Sequence, residues 1–224
     1  MLRLPIALIA LIALLLVAAA GDDESGSDGA SGTETELTEC RDVEAPEPKP
    51  DGGQSKPKAR LDPSKTYEVA FETSCGPFTV QLDVKGAPNT AASFAALVER
   101  GFYDDTVFHR IVPGFVVQGG DPTGTGTGGP GYKTVDAPGK RARYTQGVVA
   151  MAKTGAEPAG TAGSQFFVVT GPDAGLPPDY AIVGEVISGG SSVQLIERLG
   201  DPNSGGAGTP LRPAVLEKAT LSES

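Results

Sequence analysis

The chain is expected to fold as a mainly-β domain, a closed antiparallel barrel whose ends are plugged by two α-helices. Three observations predict this. Apolar residues recur with a period of two in many short runs, as in Tyr67-Glu-Val-Ala-Phe71 and Phe78-Thr-Val-Gln-Leu-Asp-Val84, which is the signature of half-buried strands. Only two stretches carry a helical period. The 31 glycines and 19 prolines cut the remaining apolar material into pieces too short for anything but a meander of strands, and such a meander buries itself by closing.

In chain order, Tyr67–Phe71 and Phe78–Val84 are read as a hairpin turned at Ser74-Cys75-Gly76-Pro77. A helix opens at Pro88 or Asn89, places Phe94, Leu97 and Val98 on one face, and stops at Gly101. Val107–Gln118 holds strand pieces broken at Pro113-Gly114, followed by a glycine-rich loop over Gly119–Gly131. Gly147–Ala152, Gln165–Thr170 and Ala181–Val186 are further strands. After the break at Gly189-Gly190, Val193–Leu199 is the second helix, and Ala214–Leu221 is a closing strand.

Three domains of composition precede and include this part. Leu4–Ala20 is apolar or small without a break, with Arg3 before it and Gly21-Asp22-Asp23-Glu24 after it, so residues 1–20 are read as a signal peptide with cleavage after Ala20. A run of 17 residues is also near the lower limit for crossing a bilayer, about 20 residues, and a retained membrane anchor is the alternative. Gly21 follows the small residues where a lipid anchor would need a cysteine. Residues 21–62 read as a disordered tether, acidic first and then rich in proline and lysine, with Leu37, Val43 and Leu61 its only large aliphatic side chains. Residues 63–224 are the folded domain. The export-type N-terminus places the protein outside the cytoplasm, secreted or tethered to the outer face of the cytoplasmic membrane.

The formal charge is −10, from 28 acidic and 18 basic residues. Nucleic acid is not an expected partner, since phosphate backbones reward basic patches, and Lys140, Arg141 and Arg143 read as a solvated turn. GTGTGG at Gly124–Gly129 lacks the lysine and hydroxyl pair of a phosphate-binding loop. Acidic residues are scattered over strand ends and turns, so neither a metal site nor a carboxylate pair is indicated, and no cofactor is expected. The two cysteines, Cys40 and Cys75, permit a disulfide in an exported protein, with two free thiols as the alternative. No CxxC is present, and a single histidine gives little support to a metal role.

The chemistry concentrates in Val107–Asp121, VFHRIVPGFVVQGGD, where one arginine, one phenylalanine and one glutamine stand among apolar residues with no carboxylate nearer than Asp121. That is poor material for acid-base catalysis. It suits a shallow apolar site that orients an uncharged group with one fixed cation and one amide, and GSQFFVVTG at Gly163–Gly171 supplies a second wall. His109 is read as a structural neighbour of Arg110.

These runs, with GVVAMAK at Gly147–Lys153 and LPPDYAIVGEV at Leu176–Val186, resemble the cyclophilin-type peptidyl-prolyl cis-trans isomerases from Tyr67 to about Leu221. The resemblance implies an eight-stranded antiparallel barrel capped by two helices, with its site on the outer face. It implies catalysis by Arg110, and substrate binding by Phe115, Val116, Phe167 and Leu176 around the proline ring. Gln118, Ala152, Lys153 and Gln165 would hold the peptide, and Tyr180 would stand at the rim. Four positions depart from the family pattern: Val116 replaces its usual methionine, Lys153 an asparagine, Gly175 a tryptophan and Tyr180 a histidine. The implied partners are proline-containing unfolded or flexible polypeptides, bound by a monomer. A non-catalytic proline-peptide-binding or chaperone module using the same groove is the alternative.

Overall fold

The computed structural model describes residues 38–224. The expected signal or anchor at residues 1–20 and the acidic first part of the tether lie outside the described residues. No helix among the described residues is long and apolar enough to cross a membrane.

The first strands form where the period-two pattern requires them. β1 (Tyr67–Thr73) and β2 (Phe78–Leu82) pair antiparallel, Phe71 opposite Phe78. α1 (Pro88–Glu99) follows, with Pro88 in its first turn, where a missing N–H costs nothing. Its N-terminus is capped from a distance, because Asp136 Oδ2 accepts the Thr90 N–H at 2.6 Å. Next come β3 (Thr106–Val107), β4 (Arg110–Val112) and β5 (Val116–Gly119), broken at Pro113-Gly114 as expected. β6 (Thr134–Val135) and β8 (Thr161–Ala162) form a small separate ladder across the loops, and their two-residue length leaves no period to read. β7 (Val148–Met151), β9 (Phe166–Val169), β10 (Ile182–Ser188), α2 (Gly190–Glu197) and β11 (Val215–Glu223) complete the order. α2 begins three residues before the expected Val193, with Gly189 in the left-handed region at its N-cap.

The nine strands of the main sheet run β3-β11-β1-β2-β10-β7-β9-β5-β4. This corrects the expected closed eight-stranded barrel: the sheet is a curled, open half-barrel. The reason lies in its edges. β3 and β4 are separated only by Phe108 and His109, too short a connection to fold one back on the other. The free edge of β4 is instead satisfied by a distant loop, Ile111 N–H donating to Gly208 O at 2.7 Å, while Phe108 N–H to Ala214 O at 2.9 Å extends the β3–β11 ladder. One bridge, Val107 to Asp121, spans the gap.

Side chains on the two faces of the sheet have different fates. Phe71, Phe78, Phe94, Tyr103, Phe108 and Phe166 pack as one aromatic core on the concave side, beneath α1. Val116, Tyr144, Ala150, Phe167 and Val169 form a second, smaller cluster on the other face.

Composition predicts a free tether up to residue 62, but residues 38–62, though without helix or strand, are laid along the domain. Lys49 N–H donates to Pro122 O at 2.8 Å, Gly52 N–H to Gly129 O at 2.9 Å, and Gln54 N–H to Pro130 O at 3.0 Å. Lys49 Nζ caps carbonyls beyond the C-terminal end of α1, including those of Gly101 and Asp104. A proline-rich segment loses little entropy when held extended, so a few such bonds suffice to strap it down. Cys40 and Cys75 are disulfide-bonded, with Cα atoms 4.0 Å apart, a little inside the usual range of about 4.4 to 6.8 Å.

Candidate active site

Register builds the site. Arg110 on β4 is opposite Gln118 on β5, Gln118 is opposite Phe167 on β9, Phe167 is opposite Ala150 on β7, and Ala150 is opposite Ile182 on β10. Directly paired residues share a sheet face, so these five form a row across the outer surface. Arg110, Phe115, Val116, Gln118, Ala152, Lys153, Phe167, Leu176 and Tyr180 line one cavity of about 360 Å³. Gln165 stands just beside it, accepting a hydrogen bond from Gln118 Nε2 at 3.0 Å. All ten expected site residues are therefore brought together.

Arg110 is held on two sides. Its Nε donates to Gly206 O at 3.1 Å, its Nη1 to Gln118 Oε1 at 3.3 Å, and its Cζ lies 5.9 Å from the Phe115 ring centroid. Among the described residues Nη2 has no acceptor, so one nitrogen of a rigid fork remains free beside the aromatic wall. Burial lowers the Arg110 pKa from its ordinary value, while an arginine remains charged at neutral pH. Burial likewise lowers the pKa of His109, which disfavours a second positive charge beside Arg110. His109 stands beside Arg110 with its Nε2 3.5 Å from Gln118 Nε2, while its buried Nδ1 has no partner among the described residues.

The amides are positioned by the glycine-rich loop. Gln165 Nε2 donates to Gly126 O and Gly128 O at 3.0 and 2.9 Å. The loop is in turn wound around the buried carboxylate of Asp121, which accepts from the N–H groups of Thr123, Gly126 and Gly128. A Cβ at Gly128 would meet Asp121 Oδ1 at 2.2 Å, which explains a glycine there. Burial alone would push the Asp121 pKa up, but the backbone and Thr123 hydroxyl donors outweigh it and the net shift is downward. A carboxyl depressed by folding contributes its stability fully above its unfolded value, about 3.9, and loses it as pH falls through the lower folded value. Amide-exchange protection at Gly126 and Gly128 is therefore expected to persist from neutrality to about pH 5 and to fail only below the ordinary carboxylate range. Loss near pH 6 would contradict this.

The rim differs from what the residue types suggest. Lys153 does not reach into the cavity with a free ammonium: its side chain is 3% exposed and pairs with Asp179 at 2.5 Å, with the Tyr180 ring centroid 5.4 Å away. The hydrogen bond to Asp179 pushes its pKa up. Tyr180 is fixed by Tyr144, whose hydroxyl donates to Tyr180 O at 2.8 Å and accepts from Tyr180 N–H at 2.9 Å. Sequence reasoning misses Gly206, Tyr144 and Asp179, because a loop carbonyl, a lone tyrosine and an acid in a proline turn carry no periodic or motif signal.

Phe115 and Phe167 are unequal walls. Phe115 is half-buried, whereas Phe167 is 4% exposed within the outer cluster. Phe115→Ala is expected to weaken proline-peptide binding severalfold with little change in Tm. Phe167→Ala should also cost stability, about 3 kcal/mol for a buried ring. Equal loss of Tm in both variants would show Phe115 to be core.

A model of the family described as cyclophilin type peptidyl-prolyl cis-trans isomerase/CLD matches residues 68–221. The chain is 43% identical over 148 residues to peptidyl-prolyl cis-trans isomerase CYP18-2 of Arabidopsis thaliana, covering 64% of this chain and 87% of that protein. It is 41% identical over 160 residues to peptidyl-prolyl cis-trans isomerase-like 1 of Aspergillus oryzae, covering 70% and 96%. A solved Cryptosporidium parvum cyclophilin type isomerase is similar with a TM-score of 0.63 at 29% identity, covering 70% of this chain and 98% of that one. A second structure of that protein, in the presence of the dipeptide Ala-Pro, has a TM-score of 0.62 at 30% identity, covering 69% and 98%. The chain belongs to the cyclophilin-type family and is a peptidyl-prolyl cis-trans isomerase.

Proposed function

We propose that this isomerase acts on X-Pro bonds of unfolded or flexible polypeptides outside the cytoplasm, with Arg110 stabilising the twisted prolyl amide. The observation that carries the reading is the free Nη2 of an arginine held by Gly206 and Gln118 over an apolar pocket. An X-Pro bond resists rotation by about 20 kcal/mol because of amide resonance. Twisting breaks that resonance and localises a lone pair on the prolyl nitrogen, so a donor aimed there binds more strongly in the transition state than in the ground state. Phe115, Phe167 and Leu176 hold the ring and exclude water, which strengthens that bond. Gln118 on β5 and Gln165 just before β9 hold the peptide backbone while the other side of the bond rotates. The Cryptosporidium isomerase solved in the presence of Ala-Pro supports a proline ligand for the same groove.

The exported location rests on the Cys40–Cys75 bridge, which persists in oxidising compartments, together with the apolar N-terminal run. Exchange spectroscopy on a proline peptide with the full chain tests the reading. Accelerated cis-trans exchange at catalytic enzyme concentration is the expected result. Binding without acceleration would favour the non-catalytic module.

A further inference from the structure

A second cavity, of about 510 Å³, adjoins the proline pocket and shares Gln118, Ala152 and Lys153 with it. One of its walls is Asp51, on the strap that precedes the domain. The family match begins at residue 68, so this wall is supplied by a segment outside it. The shared residues make the two cavities continuous, so the second lies within reach of a side chain flanking a proline seated against Phe115 and Phe167.

The charges around it are not equivalent. Lys133 is paired with Glu157 at 2.9 Å and Lys153 with Asp179 at 2.5 Å. Asp51 lines the same cavity and makes no ion pair among the described residues. Its Oδ1 accepts the Gly129 N–H at 2.8 Å, which fixes the carboxylate at the wall while Oδ2 remains available. The strap itself is fixed on both sides of Asp51 by the bonds from Lys49 and Gly52. Asp51 is thus the one charged lining residue without an ion-pair partner among the described residues.

We propose that Asp51, which the strap adds to this cavity, selects a basic side chain flanking the substrate proline. The proposal rests on the isomerase groove described above, and the overall charge of −10 draws the same class of polypeptide at long range.

The test uses the full chain and fluorescent proline peptides carrying Lys, Ala or Glu at successive positions on either side of the proline, with binding and turnover measured separately. The wild type is expected to favour Lys over Glu at one of these positions by roughly fivefold, an effect of the size of an exposed ion pair that shrinks with added salt. Asp51→Asn retains an acceptor for Gly129 and should bring that ratio close to one, leaving the Ala peptide unchanged. Glu44→Gln, which removes the same charge from an exposed position on the strap, should leave the ratio as in the wild type. A wild type without charge preference, a preference that survives Asp51→Asn, or an equal response to Glu44→Gln overturns the subsite. Absence of turnover with every peptide would overturn the proposed isomerase mechanism instead, and the binding ratios would still decide the role of Asp51.

Discussion

Arg110→Ala is expected to lower kcat/KM for a proline peptide at least tenfold while the folded spectrum and Tm stay close to those of the wild type. A tenfold loss corresponds to about 1.4 kcal/mol of transition-state stabilisation, a modest demand on one charge-assisted hydrogen bond in a partly dry site. The fold should tolerate the change because Arg110 projects from the outer face and its neighbours Ile111 and Val117 carry the packing on the inner one. Most of the loss should fall on kcat, since the donor is required only when the prolyl nitrogen becomes pyramidal. Arg110→Lys separates charge from geometry. A single ammonium cannot reproduce the fork that satisfies Gly206 and Gln118 while presenting a third donor, so lysine should recover only part of the activity. Unchanged turnover in a folded Arg110→Ala protein would remove the arginine from the mechanism.

Much of the domain is legible in the sequence because its signals are local. The alternation of Val116, Val117 and Gln118 assigns one face to the site and the other to the core, and both assignments follow from the side-chain period of a strand. Pro113-Gly114 breaks the run where the turn falls between β4 and β5. What sequence cannot show is long-range pairing. Whether the sheet closes depends on which groups satisfy its free edges, and the partner of β4 there, Gly208, lies far along the chain. The strap reads as a free tether for a related reason. Its composition reports that it has no core of its own, which holds, but its order comes from backbone bonds to a glycine-rich loop that any extended segment of suitable shape could make. The same limitation applies to the site, where motifs place the nine residues that line it and Gln165 beside it, but not the groups that orient them.

Removal of the Cys40–Cys75 bridge is expected to produce the largest change in stability. The bridge closes a loop over a sequence separation of 35, which by chain-entropy estimates contributes on the order of 3 to 4 kcal/mol. For a domain of this size that amounts to roughly 10 °C in Tm. Both cysteines are buried, Cys75 completely and Cys40 to within 6%, so the double substitution Cys40→Ala with Cys75→Ala is a cleaner test than added reductant. The bridge also gathers further contacts. Arg41 N–H donates to Ser74 O at 2.7 Å, Arg212 Nη2 donates to Cys40 O at 3.0 Å, and Arg41 pairs with Glu217. Turnover of the native double variant should be nearly unchanged, because no residue of the proline pocket touches this end of the strap and Lys49, Gly52 and Gln54 remain bonded to the glycine-rich loop. The measurement is a pair of thermal melts with matched assays below the lower midpoint. An unchanged Tm would show that the bridge constrains little of the unfolded chain. A fall in turnover at temperatures where the variant is fully folded would show instead that the strap is coupled to the catalytic face through its cysteine end.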